Sequence, residues 1–497
     1  MIVRMPHTHL RSFYLVGLLL ISIPLAWLPS AQAQTSWEVT PYDIEVCFAL
    51  DAVPELQAHA LLRLQTAITQ GASVLVGPAW TVSSAVVPEI LTQACLYRLD
   101  ELSVADVEKC YASCLERDKV YFVAIRSNGF GFELNVRELD CCARMWARSV
   151  SRQVGHSDHL PTAVVDAVVD AFSPLAQIGK SVDEDDRPGV PKKKFIVRFR
   201  AGALVNRKDS PVLVAPDVVL QPILRRNDRL GRPKPGGVKP VPWTYLTLLE
   251  GTGSERIAIV HSGKRSPISG RISRRVDRLA LAVHPSSLPT RLYLRARDAQ
   301  QRALAGYEIY SRKPEQDLSE PSEFVGRSDL NGKIDIPQSD RPLRILYVKN
   351  GGELLARLPI LPGLYPEQTV SMFDDRLRLE AEGFVRGLQG NLVDRVVERE
   401  ILVARIRRRI EAGKIDEARS LLAELRSLRL PSHLAMDLAN ARQELIIKAN
   451  ARTQAKINDV FAETEKQLRE YEDARDVEQL TVELNAAAQA PSGTREP

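Results

Sequence analysis

The chain has 497 residues, 44% hydrophobic and 26% charged, with a net charge of +5. This is an ordinary globular composition with room for roughly three or four domains of about 100–150 residues each. Only one long apolar run occurs, which excludes a multi-span membrane protein.

That run, Phe13 to Leu28, follows Arg4 and Arg11 and precedes Ser30-Ala31-Gln32-Ala33. A basic start, a short apolar middle and an A-x-A end predict a secretory signal peptide cleaved after Ala33, hence a periplasmic or extracellular protein. No cysteine follows the cut closely enough for a lipid anchor. All six cysteines (Cys47, Cys95, Cys110, Cys114, Cys141 and Cys142) lie in the first third of the chain. Export would permit disulfides among them, and the spacing predicts bridges between separate segments, with connectivity left open.

Residues 34–180 read as an α+β domain. Ile44, Val46, Phe48 and Leu50 alternate with Glu45, Cys47 and Ala49, which predicts a strand. A helix is expected over Pro54–Gln70, ended by Gly71, and a short strand over Ser73–Val76. Ser103 to Asp106 forms a capping-box pattern ahead of a helix carrying Cys110 and Cys114 inward. Asn128-Gly129 predicts a hairpin turn, and Thr162 to about Ser173 a last helix. The acids Asp183–Asp186 and the prolines after them predict a linker over residues 181–191.

Residues 192–290 read as a basic all-β module of short strands separated by Pro- and Gly-rich turns. Between Arg187 and Asp298 there are 24 Lys and Arg against 7 Asp and Glu, an excess of 17 in a chain whose total is only +5. The candidate anion-binding residues are Arg225, Arg226, Arg229, Arg232 and Lys234, and the partner they suggest is an anionic envelope polymer or lipid surface. Nucleic acid is not expected for an exported protein.

Residues 291–373 contain seven strand patterns, with turns at Asn331-Gly332 and Asn350-Gly351. The loop Asp298 to Gly306 and the turn Gly326 to Ile336 resemble those of the carboxypeptidase regulatory-like (transthyretin-like) sandwich. The usual glycine before the first leucine of the loop is absent, and Lys313–Pro321 is a longer insertion. The resemblance implies a seven-stranded accessory module without catalysis of its own.

From Asp374 to residue 481 the pattern is helical, ending in a tail over 482–497 expected to be disordered. Gly413 should stop a first helix and Pro431 a second, with a third running from Ser432 to about Tyr471. Glu411 to Ala418 resembles the turn of a single tetratricopeptide unit. A helical hairpin or coiled-coil arm is expected, and Ile457, Val460, Phe461 and Leu468 form a stripe suited to self-association or a partner protein through helices 391–471.

No nucleophile elbow, zinc-protease pattern, C-x-x-C pair or Walker loop occurs, so the sequence names no catalytic, cofactor-binding or metal-ligating residue. The expected fold class is multidomain α+β: an α+β domain, two β-sandwich or barrel modules and a helical arm. The expected function is a non-enzymatic exported scaffold or interaction protein. The competing reading is a secreted enzyme or ligand receptor with its site in the N-terminal domain.

Overall fold

The computed structural model describes residues 37–182, 193–205, 207, 209–249, 251, 253–265, 267–268, 275–314, 321–428, 433–471 and 475–489. The expected leader, the acids of the linker, residues 315–320 of the insertion, Pro431, Ser432 and residues 490–497 lie outside these. The chain has helices, several β-sheets and a helical C-terminal part, as expected of a multidomain α+β protein. It divides into two compact units.

The first unit opens with a five-stranded sheet in the order β2-β1-β3-β4-β5, formed by β1 (Tyr42–Leu50), β2 (Trp80–Val86), β3 (Lys119–Ser127), β4 (Phe132–Asp140) and β5 (Met145–Val154). β2 and β3 both run parallel to β1, and the rest is antiparallel. Period-two alternation divides each strand between two cores. Ile44, Val46, Phe48, Tyr121 and Val123 face α1 (Ala58–Leu75) and α4 (Leu160–Ala171). Cys47, Ala49, Val120 and Phe122 face α2 (Glu89–Arg98) and α3 (Val104–Cys110). Parallel strands require crossover helices on the sheet faces, so both faces are covered.

Several expectations fail here for identifiable reasons. Gly71 does not end a helix; α1 runs through it to Leu75, absorbing the strand expected at Ser73–Val76. A Cβ at Gly71 would stand 2.6 Å from Cγ1 of Val165, so this glycine exists for close helix–helix approach. The capping box at Ser103 and Asp106 forms, but α3 stops at Cys110 and a short 3-10 turn carries Cys114. Cys114 is therefore buried while Cys110 is only half-buried. β2, α2 and β5 had no distinct sequence signature: the burial of β2 and β5 is irregular along their length rather than cleanly alternating.

The same unit contains a closed antiparallel ring of β6 (Leu175–Val182), β7 (Lys194–Phe199), β8 (Val219–Asn227), β10 (Thr244–Leu248), β11 (Glu255–Ser262) and β12 (Val276–Val283). β10 pairs β8 at Leu246–Leu220 and closes it. Val197, Phe199, Leu220, Leu246, Ala280 and Ala282 fill its interior. β6, read from sequence as the end of the preceding domain, belongs to this ring and pairs with β7 across the acidic segment. β9 (Pro233–Pro240), read as a turn, is an added strand on β8. Its prolines are tolerated because it lies at an edge.

The second unit carries a three-stranded sheet, β16-β13-β19, and a four-stranded sheet, β15-β14-β17-β18. The strands are β13 (Thr290–Ala296), β14 (Glu308–Arg312), β15 (Glu323–Arg327), β16 (Lys333–Ile336), β17 (Arg344–Asn350), β18 (Glu353–Ile360) and β19 (Glu367–Met372). Their number matches the seven strand patterns read over residues 291–373. Beyond them α5 (Arg376–Glu411) carries two helical clusters. Its first half packs Ala381, Val385 and Leu388 on α7 (His433–Lys448) and α8 (Ala451–Tyr471). Its second half packs Leu402, Val403 and Ile406 on α6 (Ile415–Ser427) and α9 (Arg475–Gln489).

The single long third helix expected to end near Tyr471 is thus broken in two. Asn450 caps α8 by accepting from Thr453 N–H at 3.0 Å, while the Gln454 amide donates to the Ile446 and Ala449 carbonyls at the end of α7. The resulting hairpin buries Ile457, Phe461 and Leu468 against α5 and α7, so the stripe assigned to self-association is internal. Residues 482–489 are helical rather than disordered, because Leu480 and Leu484 are buried among α5 and α6.

Gly71→Ala should lower stability by roughly 1–3 kcal/mol through overpacking on Val165, although alanine is the better helix former. Val165→Ala in the same chain should recover part of the loss in urea unfolding.

Candidate functional site

Three places in the first unit could carry chemistry. The most concentrated is a buried cluster that sequence reasoning missed. Lys119 at the start of β3 is fully buried, and its ammonium donates to Glu138 Oε1 at 2.6 Å, Asp140 Oδ2 at 2.8 Å and the Ser173 carbonyl at 2.7 Å. Glu138 Oε2 accepts from the Tyr121 hydroxyl at 2.6 Å and from Ser173 N–H at 2.9 Å. Asp140 Oδ1 accepts from Ala143 N–H at 2.7 Å. The ammonium also lies 5.5 Å from the Tyr42 ring centroid and 5.1 Å from that of Phe172.

Burial alone pushes the Lys119 pKa down, but the charges of Asp140 and Glu138 outweigh it and hold the group above its ordinary value. Burial, then Glu138, pushes the Tyr121 phenol up. All three ammonium protons have acceptors, and no solvent reaches the group. The arrangement is that of a structural ion cluster whose lysine donors are all taken up, beside a buried Ser173 hydroxyl that has no partner among the described residues. Its signal was present in the sequence: Glu138 and Asp140 continue the inward alternation of Phe132, Leu134 and Val136.

The second place is a small pocket of about 170 Å³ where β1 leads into α1 and where α4 begins. Glu55, Gln57, His59, Arg63, Ser157 and Pro161 line it, and Arg63 pairs with the exposed Asp158 at 3.1 Å. Small-molecule sites usually measure about 300–1,000 Å³, so this pocket suits a fragment at most. Among the described residues no three His, Cys, Asp or Glu side chains converge as a metal site, and His156 and His159 meet only ring to ring, at 6.3 Å.

All six cysteines are free thiols, so the bridges expected from export are not formed. Cys47, Cys95, Cys114 and Cys141 share one core with half-buried Cys110, whereas Cys142 turns toward the other core and donates to Asp118 at 3.5 Å. Burial pushes Cys95 and Cys114 up to about 12, and Cys142 likewise, with Asp140 adding to the shift. Such thiols are poor nucleophiles near neutral pH, since the thiolate is the reactive form.

The third place is the β8–β9 hairpin, where the structure gathers most of the candidate anion-binding residues. Arg225 is the exception. It is half-buried and held by Asp277 at 2.8 Å, so it belongs to the barrel wall. Other cations of the basic region are likewise used internally: Arg198 pairs with Glu255 at 2.6 Å, Arg200 with Asp118 at 2.5 Å, and Arg256 donates to the Leu249 carbonyl at 2.7 Å. Arg226, Arg229, Arg232, Lys234 and Lys239, by contrast, are exposed on the hairpin and enter no ion pair among the described residues. The tip is ordered by Asp228, whose Oδ1 accepts from the N–H groups of Leu230 at 2.8 Å and Arg232 at 2.9 Å.

No protein-family model matches the chain, and no curated protein matches it either. Among solved structures, TolB from Acinetobacter baumannii aligns over 65% of this chain and 95% of its own, at 10% identity and a TM-score of 0.18. The Bacillus anthracis TIE protein aligns over 46% of each chain at 8% identity and a TM-score of 0.14. BcpA, the major pilin subunit of Bacillus cereus, aligns over 52% of this chain and 71% of its own, at 9% identity and a TM-score of 0.12. At these TM-scores the alignments establish no shared fold.

Two outcomes are expected from this geometry. Lys119→Met should cost roughly 3–5 kcal/mol in denaturant unfolding, because it leaves Glu138 and Asp140 buried without a counter-charge. Adding Glu138→Gln and Asp140→Asn should restore part of it. Because the folded-state pKa is raised, the lysine's contribution is complete through neutral pH and is lost only above about pH 10.5. In native, non-reduced protein, a thiol reagent should label Cys110 first, and denaturation without reductant should expose all six thiols. Mass spectrometry of a disulfide pair would overturn the free-thiol assignment.

Proposed function

We propose that the chain is an exported, non-enzymatic scaffold or interaction protein of the cell envelope or extracellular space. Its β8–β9 hairpin contacts an anionic envelope polymer or lipid surface. The observation that carries this reading is the set of five exposed cations on one ordered hairpin, opposed there only by Asp228, whose carboxylate already holds the turn. Several barrel cations elsewhere, Arg198, Arg200, Arg225 and Arg256 among them, are paired or capped within the fold, whereas the hairpin offers five outward together. Export rests on the leader pattern of residues 1–33.

The modular build supports the scaffold reading. We take the sheet flanked by α1–α4 as an α+β domain and the six-stranded ring as a β-barrel. The seven strands β13–β19 we take as an accessory sandwich of the carboxypeptidase regulatory-like type, and α5–α9 as a helical region. The receptor alternative would use the pocket beside His59 and Arg63, which is too small to favour it.

Retention on a dextran sulfate column tests the hairpin. Wild type should elute at a salt concentration well above that needed for Arg226→Ser/Arg229→Ser/Arg232→Ser, because the Debye length shrinks from about 10 Å at 0.1 M to about 3 Å at 1 M. Arg225→Ser should change elution little, since that arginine is already paired. Equal elution of wild type and the triple variant would sink the proposal.

A further inference from the structure

We infer that the β8–β9 hairpin is a membrane-surface wedge: Leu230 at its tip enters an anionic lipid bilayer while the flanking cations bind the headgroup phosphates. This rests on the anion-contact reading above and commits it to lipid rather than polymer. Leu230 is 79% exposed at the apex of the turn, beside Arg229 and Arg232, with Arg226 and Lys234 one step back on the two strands. A polymer of sulfates or carboxylates would use the cations alone and leave an apex leucine in water. A bilayer surface uses both, because charge draws the hairpin to anionic headgroups and the apolar tip crosses into the acyl boundary.

Two further features fit a lipid partner. The turn is preset by the two bonds to Asp228 Oδ1 and by the bond from Asp228 N–H to the Arg232 carbonyl at 2.9 Å, so little order is lost on docking. The free edge of β9 carries Pro233, Pro235 and Pro240, which obstruct pairing with a further strand and so oppose a protein partner added by β-augmentation. No described helix is long and apolar enough to cross a membrane.

The test is co-sedimentation of the full chain with vesicles of phosphatidylcholine alone or with phosphatidylglycerol added, beside retention on dextran sulfate. Every variant carries the same residues 1–33, so differences report the hairpin. Each cation near a charged leaflet is worth roughly fivefold in partitioning, so Arg226→Ser/Arg229→Ser/Arg232→Ser should weaken anionic-vesicle binding about a hundredfold. Leu230→Ser should weaken it roughly tenfold and leave dextran sulfate retention unchanged, whereas Leu230→Trp should bind vesicles at least as well as wild type. Unchanged thermal unfolding would show that the exposed turn tolerates each change. If Leu230→Ser binds anionic vesicles like wild type, or if added phosphatidylglycerol strengthens wild-type binding no more than that of the triple variant, the wedge is wrong. If dextran sulfate retention still responds to the triple variant in that case, the anion-contact reading survives. If the triple variant alters neither binding, both fall.

Discussion

The ammonium of Lys119 holds the first unit together at the point where its elements converge. One cation with three acceptors ties β3 to β4 through Glu138 and Asp140, and ties both to the end of α4 through the Ser173 carbonyl. Tyr42, whose ring lies beside the ammonium, accepts from Leu175 N–H at 3.0 Å and so fixes where β6 departs. A charge removed from water is costly unless every donor is met. The cluster meets that condition, and it specifies the register in which Lys119 stands opposite Asp140 and Tyr121 opposite Glu138. A shift of one residue would turn all four groups toward the opposite, cysteine-lined core.

That register organises the two cores. One face of the sheet buries aromatic and branched side chains against α1 and α4, and the other buries four thiols with Val120 and Phe122. The thiols act there as small apolar side chains, and burial makes them unreactive. Their clustering on one face of the sheet is a packing result.

Charge in the barrel is sorted by the same logic. Arginines that point along its wall find carboxylates or carbonyls, as Arg225 does in Asp277 and Arg256 in the Leu249 and Val214 carbonyls. Those on β9 and the adjoining turn extend beyond the ring and, among the described residues, enter no ion pair. The hairpin therefore concentrates five exposed cations of the basic stretch in one place.

By itself the sequence determined the elements whose signals are local. The alternation of β1, the capping box at Ser103, the Asn128-Gly129 turn, the seven strands β13–β19 and the stop at Gly413 are each decided by neighbouring residues, and each lies where those residues put it. The candidate cations of the hairpin were also legible, since charge density needs no partner to be seen. Only the tertiary structure decided the rest. Gly71 reads as a helix stop until Val165 stands against it, β6 reads as a domain end until it pairs with β7, and β9 reads as a turn until β8 lies beside it. Arg225 and Arg226 are neighbours in sequence, and Asp277, 52 residues beyond Arg225, pairs with only the first of them. Leu230 and Ile457 are both apolar residues among charges; long-range packing buries Ile457 and leaves Leu230 in solvent. Pairing and burial depend on residues distant in the chain, and no local pattern encodes which of them will meet.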